Sequence, residues 1–131
     1  MRWQTLELAT SRRVQVLDVT AAVDELCRRS DVRDGLLVVC CEHTTAALCL
    51  NEAEPRLLAD LEAWLERLVP RGAGYAHDRV DDNADAHLRA LLLGHSVVLP
   101  VEGGRLRLGA WQRILFVELD GPRARRLRVG V

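Results

Sequence analysis

Apolar and polar residues alternate along residues 3–8 and again along 12–19, on either side of Ala9-Thr10-Ser11. Alternation at period two marks a strand with one face buried, so the pattern predicts an N-terminal hairpin. The period then changes. Ala22, Val23 and Leu26, with Cys27 beside them, recur at helical spacing behind Thr20, predicting a short helix over about 21–30 with Thr20 as its N-cap. After the Asp34-Gly35 turn, Leu36–Cys41 is an unbroken apolar run, which predicts a strand buried on both faces. Ala46–Leu50 is a further strand, or the same strand continued past an irregularity at His43–Thr45.

Pro55 opens a second helix in which Leu57, Leu58, Leu61, Trp64, Leu65 and Leu68 share a face and Pro70 is the stop. Residues 71–83 then lose all periodicity, and a loop of this length inside a compact domain is usually functional or disordered. Asn83 or Asp82 can cap a third helix over about 84–93, closed by Gly94. Strands follow at 96–101, 105–108, 111–119 and 125–131, separated by Glu102-Gly103-Gly104 and Asp120-Gly121-Pro122. Strands at both ends and three helices between them predict one α+β domain over residues 1–131, a layer or sandwich rather than a regular βαβ repeat.

The composition narrows the chemistry. The 131 residues carry a net charge of −1, so no global field draws in a polyanion, and an aromatic fraction of 4% offers no stacking platform; nucleic acid is not an expected partner. No apolar run approaches the roughly 20 residues that span a bilayer, and the first ten residues lack the pattern of a signal peptide, so a cytoplasmic protein away from membranes is expected. All 18 basic residues are arginine. Without lysine there is no Schiff base and no P-loop lysine, and anion contacts must come from arginine, backbone amides or a metal. Cys27, Cys40, Cys41 and Cys49 form no C-x-x-C pair and read as small buried hydrophobes.

Of the four histidines, three stand in unusual places: His43 at the break in a core strand, His77 in the irregular loop and His87 in the first turn of the third helix. Three neutral imidazoles converging with a fourth position open are the ligand set of a catalytic-type zinc site, with Glu42, Glu52, Asp82 and Asn83 available to orient the rings. The spacing does not force convergence, and one capping, one loop and one core histidine is the competing reading. His95, after Gly94, reads as a surface or capping residue. Gly109, Trp111 and Gln112 can hold a heteroaromatic ring or can form a plain turn beside a core tryptophan. Arg123, on the stiff turn after Gly121-Pro122, can clamp a phosphate or pair with Glu118 or Asp120.

Taken together, "HTTAALCLNEAEP", "YAHDRVDDNADAHLRALLLG" and "VEGGRLRLGAWQRILFVELDGPRAR" closely resemble the YjbQ family, also described as secondary thiamine-phosphate synthases. The resemblance implies a sandwich of mostly antiparallel sheets flanked by about three helices, assembled as a homotrimer. It implies that His43, His77 and His87 are the residues associated with a divalent metal, most simply zinc, with Mg²⁺ as the alternative for a diphosphate substrate. It places Asn51 and Glu52, then Gly109, Trp111 and Gln112, then Glu118, Asp120 and Arg123 in the remainder of the pocket, while Ala110 stands where a small hydroxyl residue is expected. The implied activity joins a pyrimidine diphosphate to a thiazole phosphate with release of pyrophosphate. In that setting Glu52, Asp82 and Arg123 are the candidates for catalysis, and Thr44, Thr45, Asn51, Asn83, Gly109, Trp111 and Gln112 for substrate binding. A metal-assisted phosphoester hydrolase, with Glu52 or Asp82 as base, and a non-catalytic metal- or ligand-binding trimer are the competing expectations.

Overall fold

The computed structural model describes residues 1–131. Eight strands and three helices run in the order β1 (Trp3–Ala9), β2 (Gln15–Asp18), α1 (Thr20–Arg29), β3 (Gly35–Cys41), β4 (Ala46–Asn51), α2 (Pro55–Leu68), α3 (Ala84–Leu93), β5 (Ser96–Glu102), β6 (Arg105–Leu106), β7 (Arg113–Glu118) and β8 (Ala124–Gly130). A single 3-10 turn, Ala76–Arg79, lies in the loop before α3. The strands form a five-stranded sheet, β1-β8-β3-β5-β6, and a three-stranded sheet, β2-β7-β4, with every pairing antiparallel.

The two sheets face each other across the main core. Leu37, Val39, Leu99, Leu127 and Val129 from one sheet meet Leu48, Ile114 and Phe116 from the other, and Val23 and Cys27 of α1 join them. The far side of the three-stranded sheet is covered by helices: Ala47, Val117 and Leu119 pack with Leu65 of α2 and Ala86 of α3. Being buried on both faces explains why β7 is apolar almost without interruption. Ile114 is fully buried, so Ile114→Val is expected to cost about 1 kcal/mol, readable as a lowered denaturant midpoint at unchanged slope.

Helix α2 starts and stops where local chemistry dictates. Pro55 occupies its first turn, the Glu54 carboxylate accepts the Leu57 N–H at 2.8 Å, and the chain leaves helical geometry at Val69, before Pro70. In α1, Thr20 is the first helical residue rather than the cap. Its own N–H donates to Asp18 Oδ1 at 3.0 Å, and its hydroxyl accepts the Ile114 N–H at 2.7 Å, tying the helix to β7.

Three further expectations are corrected. The N-terminal alternating segments are not a hairpin: β1 pairs with β8 and β2 with β7, in different sheets. Period two reveals a buried face but not the partner strand, and the segment at residues 10–14 carries the chain from one sheet to the other. Strand β3 is not buried on both faces, because Leu37, Val39 and Cys41 point into the core while Leu36 is 55% exposed on an outer side that no helix covers. Asn83 precedes α3 but makes no side-chain cap; Asp78 Oδ1 accepts the Ala84 N–H at 2.9 Å instead.

Candidate active site

The break after Cys41 is the passage between the two sheets, since β3 belongs to the five-stranded sheet and β4 to the three-stranded one. His43, Thr44 and Thr45 sit in that crossover. It is held by a buried hub: the Arg125 guanidinium donates to the Thr45 carbonyl at 3.2 Å, to Thr45 Oγ1 at 2.9 Å and to the Glu118 carboxylate at 2.5 Å. Glu118 also accepts from the Thr10 hydroxyl at 2.7 Å and from the N–H groups of Leu119 and Asp120. Thr10 Oγ1 in turn accepts the Arg123 N–H at 2.9 Å. One buried ion pair therefore fixes the start of β8, the end of β1 and the threonine loop relative to one another. Burial pushes the Glu118 carboxyl up, but the hydrogen bonds from Arg125 and Thr10 outweigh it, and the net shift is down.

Over this hub opens a wholly polar pocket, lined by ten residues, none hydrophobic: Glu42, His43, Thr44, Thr45, Asp81, Asn83, His87, Asp120, Arg123 and Arg125. His77 joins it from the 3-10 turn, its ring centroid 4.9 Å from that of His87 in an edge-on arrangement. The hydrogen bonds assign two ring tautomers. The Arg126 N–H donates to His43 Nε2 at 3.0 Å, which requires the lone pair on that nitrogen and puts the ring proton on Nδ1. Burial, then the positive charge of Arg125, holds the His43 pKa below its ordinary value, so this imidazole is neutral at pH 7. Asn83 Nδ2 donates to Asp120 Oδ2 at 2.9 Å, which leaves Asn83 Oδ1 as the acceptor for His77 Nε2 at 3.1 Å. His77 Nε2 thus carries its proton and Nδ1 is the nitrogen left to accept.

The three imidazoles share one neighbourhood without forming a finished ligand sphere. No three His, Cys, Asp or Glu donors stand together at metal-binding range. The donors suit a zinc-like ion in kind, and His77 Nδ1 and the His87 ring are free of protein partners, but His43 Nε2 is spent on the Arg126 amide.

Arg123 folds back on its own turn, donating to the Asp120 carbonyl at 2.8 Å and to its carboxylate at 2.9 Å, while the guanidinium stays half exposed at the pocket edge. Behind the pocket, α3 is anchored by buried charges: Arg13 grips Asp85 at 3.0 Å through both oxygens, and Arg89, 2% exposed, bonds Glu66 at 2.6 Å and the Val69 carbonyl at 3.0 Å.

The remaining candidates lie elsewhere. Asp82 points outward and pairs with Arg71 at 3.2 Å, and Asp81 lines the pocket in its place. Asn51 and Glu52 line an apolar cleft beside α2. Trp111 is 74% exposed, outside β7, and borders a shallow surface depression with Glu52 and Ala110. Gln112 Oε1 accepts the Gly109 N–H at 2.9 Å, so that amide oxygen closes a local turn. Within one chain, then, His43, Thr44, Thr45, His77, Asn83, His87 and Arg123 come together, whereas Glu52, Asp82, Asn51, Gly109, Trp111 and Gln112 do not join them. Arg125 was legible as a site residue only through its register. It falls on the inward face of β8 with Leu127 and Val129, where a charge needs a buried partner.

A two-sheet α+β sandwich with a helix layer on one side and a histidine-, arginine- and carboxylate-lined pocket at the sheet crossover defines the class of protein. Residues 4–131 match the family described as UPF0047 protein YjbQ-like, and the chain belongs to that family. A UPF0047 protein of Archaeoglobus fulgidus is 56% identical, covering 95% of this chain and 96% of its own. The UPF0047 protein YugU of Bacillus subtilis is 33% identical over 93% of this chain and 92% of its own. Among solved structures, a hypothetical protein from Aeropyrum pernix K1 superposes with a TM-score of 0.96 at 49% identity, covering 99% of this chain and 97% of that one. A YbjQ-like protein of unknown function from Sulfolobus solfataricus P2 superposes with a TM-score of 0.95 at 35% identity, covering 98% and 94%. No helix here is long and apolar enough to cross a membrane.

Proposed function

We propose that the polar pocket is the active site of a metal-dependent enzyme acting on a phosphorylated heterocycle, with the joining of a pyrimidine diphosphate to a thiazole phosphate as the leading case. The observation that carries this reading is the pocket itself: ten lining residues without one hydrophobic side chain, opening on histidines and guanidinium groups. Such a surface suits a strongly solvated, charged group such as phosphate.

Its charge balance favours a cation as well. The lining holds three carboxylates, Glu42, Asp81 and Asp120, against two guanidiniums, Arg123 and Arg125, and Arg125 is already neutralised by Glu118. A phosphate entering alone would meet net negative charge. When bound, a divalent ion supplies the missing positive charge and neutralises a departing diphosphate. His87 and His77 Nδ1 would hold it, and His43 would join only by turning away from the Arg126 amide. Zinc suits imidazole donors; Mg²⁺ would lean on Asp81 and Glu42.

The chain's own groups have defined tasks. In the condensation a thiazole nitrogen attacks the pyrimidine methylene, the C–N bond forms as the C–O bond to diphosphate breaks, and no proton leaves the nucleophile. A general base is therefore unnecessary, and the work is to orient the two substrates and to stabilise the leaving oxygens. Arg123, half exposed on the pocket edge, would contact phosphate, and Thr44 and the Nδ1–H of His43 would donate to its oxygens. Metal-assisted phosphoester hydrolysis is the second reading, favoured by the Asp81 carboxylate, which lines the pocket without an arginine partner and can accept a proton from water. A homotrimer is the proposed assembly, supported by the uncovered outer face of the five-stranded sheet, where Trp3, Leu36 and Val98 are each at least 43% exposed.

Incubation of purified protein and zinc with the two thiamine precursors, and separately with phosphomonoesters, tests the reading. Thiamine phosphate and pyrophosphate are the expected products, and His87→Ala should lower turnover at least 100-fold while weakening zinc binding. Ester cleavage without condensation would establish the hydrolase instead. Loss of zinc binding in His87→Ala with every turnover unchanged would leave a binding protein.

A further inference from the structure

The helix layer does not close completely on the three-stranded sheet. Between them lies a cleft of about 450 Å³, lined by eleven residues of which eight are hydrophobic, and it shares no lining residue with the polar pocket. That volume accommodates a small molecule rather than a folded partner. Cys49 and the buried Leu115 of the sheet line it on one side, Leu57, Leu61 and Trp64 of α2 on the other. Burial pushes the Cys49 thiol pKa up, so the sulfur stays uncharged and adds to the apolar surface.

The charges on this cleft are of one sign. Its only ionisable carboxylates, Glu52 and Asp60, have no arginine partner, whereas their neighbours Glu54 and Glu62 pair with Arg56 and Arg12. An apolar slot bordered by two uncompensated carboxylates repels anions and holds neutral molecules by burial alone. A ligand with an apolar body and a positive head satisfies both features, and the Trp64 ring, 43% exposed, offers a face to the cation.

We infer that this cleft is a second binding site, for a small amphipathic cation: an apolar ring or short alkyl chain carrying a quaternary or protonated nitrogen. The site is independent of the metal and phosphate chemistry of the polar pocket.

Calorimetric titration with hexyltrimethylammonium, 1-hexanol and hexanoate, which share one tail, tests the assignment. The cation is expected to bind at least tenfold more tightly than the alcohol, and hexanoate more weakly than either. Glu52→Gln with Asp60→Asn should reduce the cation to the affinity of the alcohol and leave the alcohol unchanged. Leu57→Arg, at an exposed position, should remove cation binding without affecting the fold, and His87→Ala should bind the cation like the native protein. Equal affinities for the three probes, or no binding of any, would overturn the inference. So would sedimentation showing that native protein does not take up the cation and that Leu57→Arg dissociates an oligomer, because the cleft would then belong to a second copy.

Discussion

Arg125→Met is expected to destabilise the protein by about 3–5 kcal/mol and to lower its melting temperature by roughly 10–15 °C, because it leaves a buried carboxylate without its counter-charge. Arg125 is 4% exposed and Glu118 0%, so neither water nor salt can take over the lost role. The Thr45 carbonyl and hydroxyl lose their donor in the same step. Adding Glu118→Gln should recover part of the loss, since the orphaned charge goes with it, and a double-mutant cycle measures the coupling.

The pH dependence separates this mechanism from simple loss of packing. In the native protein the Glu118 carboxyl is held below its ordinary value, so the folded state binds its proton less readily than the unfolded chain. The pair's contribution is therefore complete above the ordinary carboxylate range and is lost as pH falls through the lowered folded value. Asp85, where burial is outweighed by the Arg13 hydrogen bond, moves in the same direction and adds to acid sensitivity. Without Arg125, burial, the largest influence on Glu118, is opposed only by the hydrogen bonds from Thr10 and the neighbouring backbone amides, so the carboxyl pKa rises relative to the native protein and the acid sensitivity conferred by the pair is lost. The gap in melting temperature between native protein and Arg125→Met should narrow between pH 7 and pH 4. A gap that stays constant across that range would show that the destabilisation is not electrostatic.

Gly121→Ala is expected to have the second largest effect. A Cβ at this position would stand 2.3 Å from the Arg12 carbonyl oxygen and 2.8 Å from both Glu118 Cγ and Thr10 Oγ1, closer than such atoms approach. The first obstacle is backbone, held in place because the Gly121 N–H donates to the neighbouring Arg13 carbonyl at 2.9 Å. Relief requires the turn bearing Asp120 and Arg123 to move away from the segment bearing Thr10. The expected cost is about 3 kcal/mol. Under the proposed function it should come with weakened binding of zinc and of inorganic pyrophosphate, since Asp120 orients Asn83 and Arg123 borders the pocket. Gly103→Ala is the comparison. There a Cβ meets nothing within 4 Å, and only the positive φ of 57° opposes it, so a cost of about 1 kcal/mol and unaltered binding are expected. Equal losses in the two variants, by thermal melting and calorimetry, would refute the steric account.

Periodicity by itself determined most of the elements. The helical spacing of Leu57, Leu61, Trp64 and Leu68 between two prolines defines α2 to the residue, because each part of that signal is local. The third helix also falls at 84–93 as its pattern predicts, and the strands read at 36–41, 46–50 and 96–101 each fall one residue short of the observed Gly35–Cys41, Ala46–Asn51 and Ser96–Glu102. The motifs around His43, His77, Asn83, His87 and Arg123 were likewise legible, since their residue types are unusual in their local settings.

Only the tertiary structure decided partners. Alternation cannot say which strand lies beside β1, so a hairpin was expected where the chain changes sheets. It cannot say which layer is left bare, so Leu36 was expected inside. Helical and loop positions that differ by one residue turn opposite ways, which is why Asp81 and not Asp82 reaches the pocket. Asn51, Glu52 and Trp111, assigned to one pocket with His43 on motif grounds, lie apart from it within a single chain, because distance in space is set by sheet pairing and layer packing and not by order along the chain. Arg125 and Glu118 hold the site together through a contact between facing sheets, and a pair of that kind exists only once both sheets have formed.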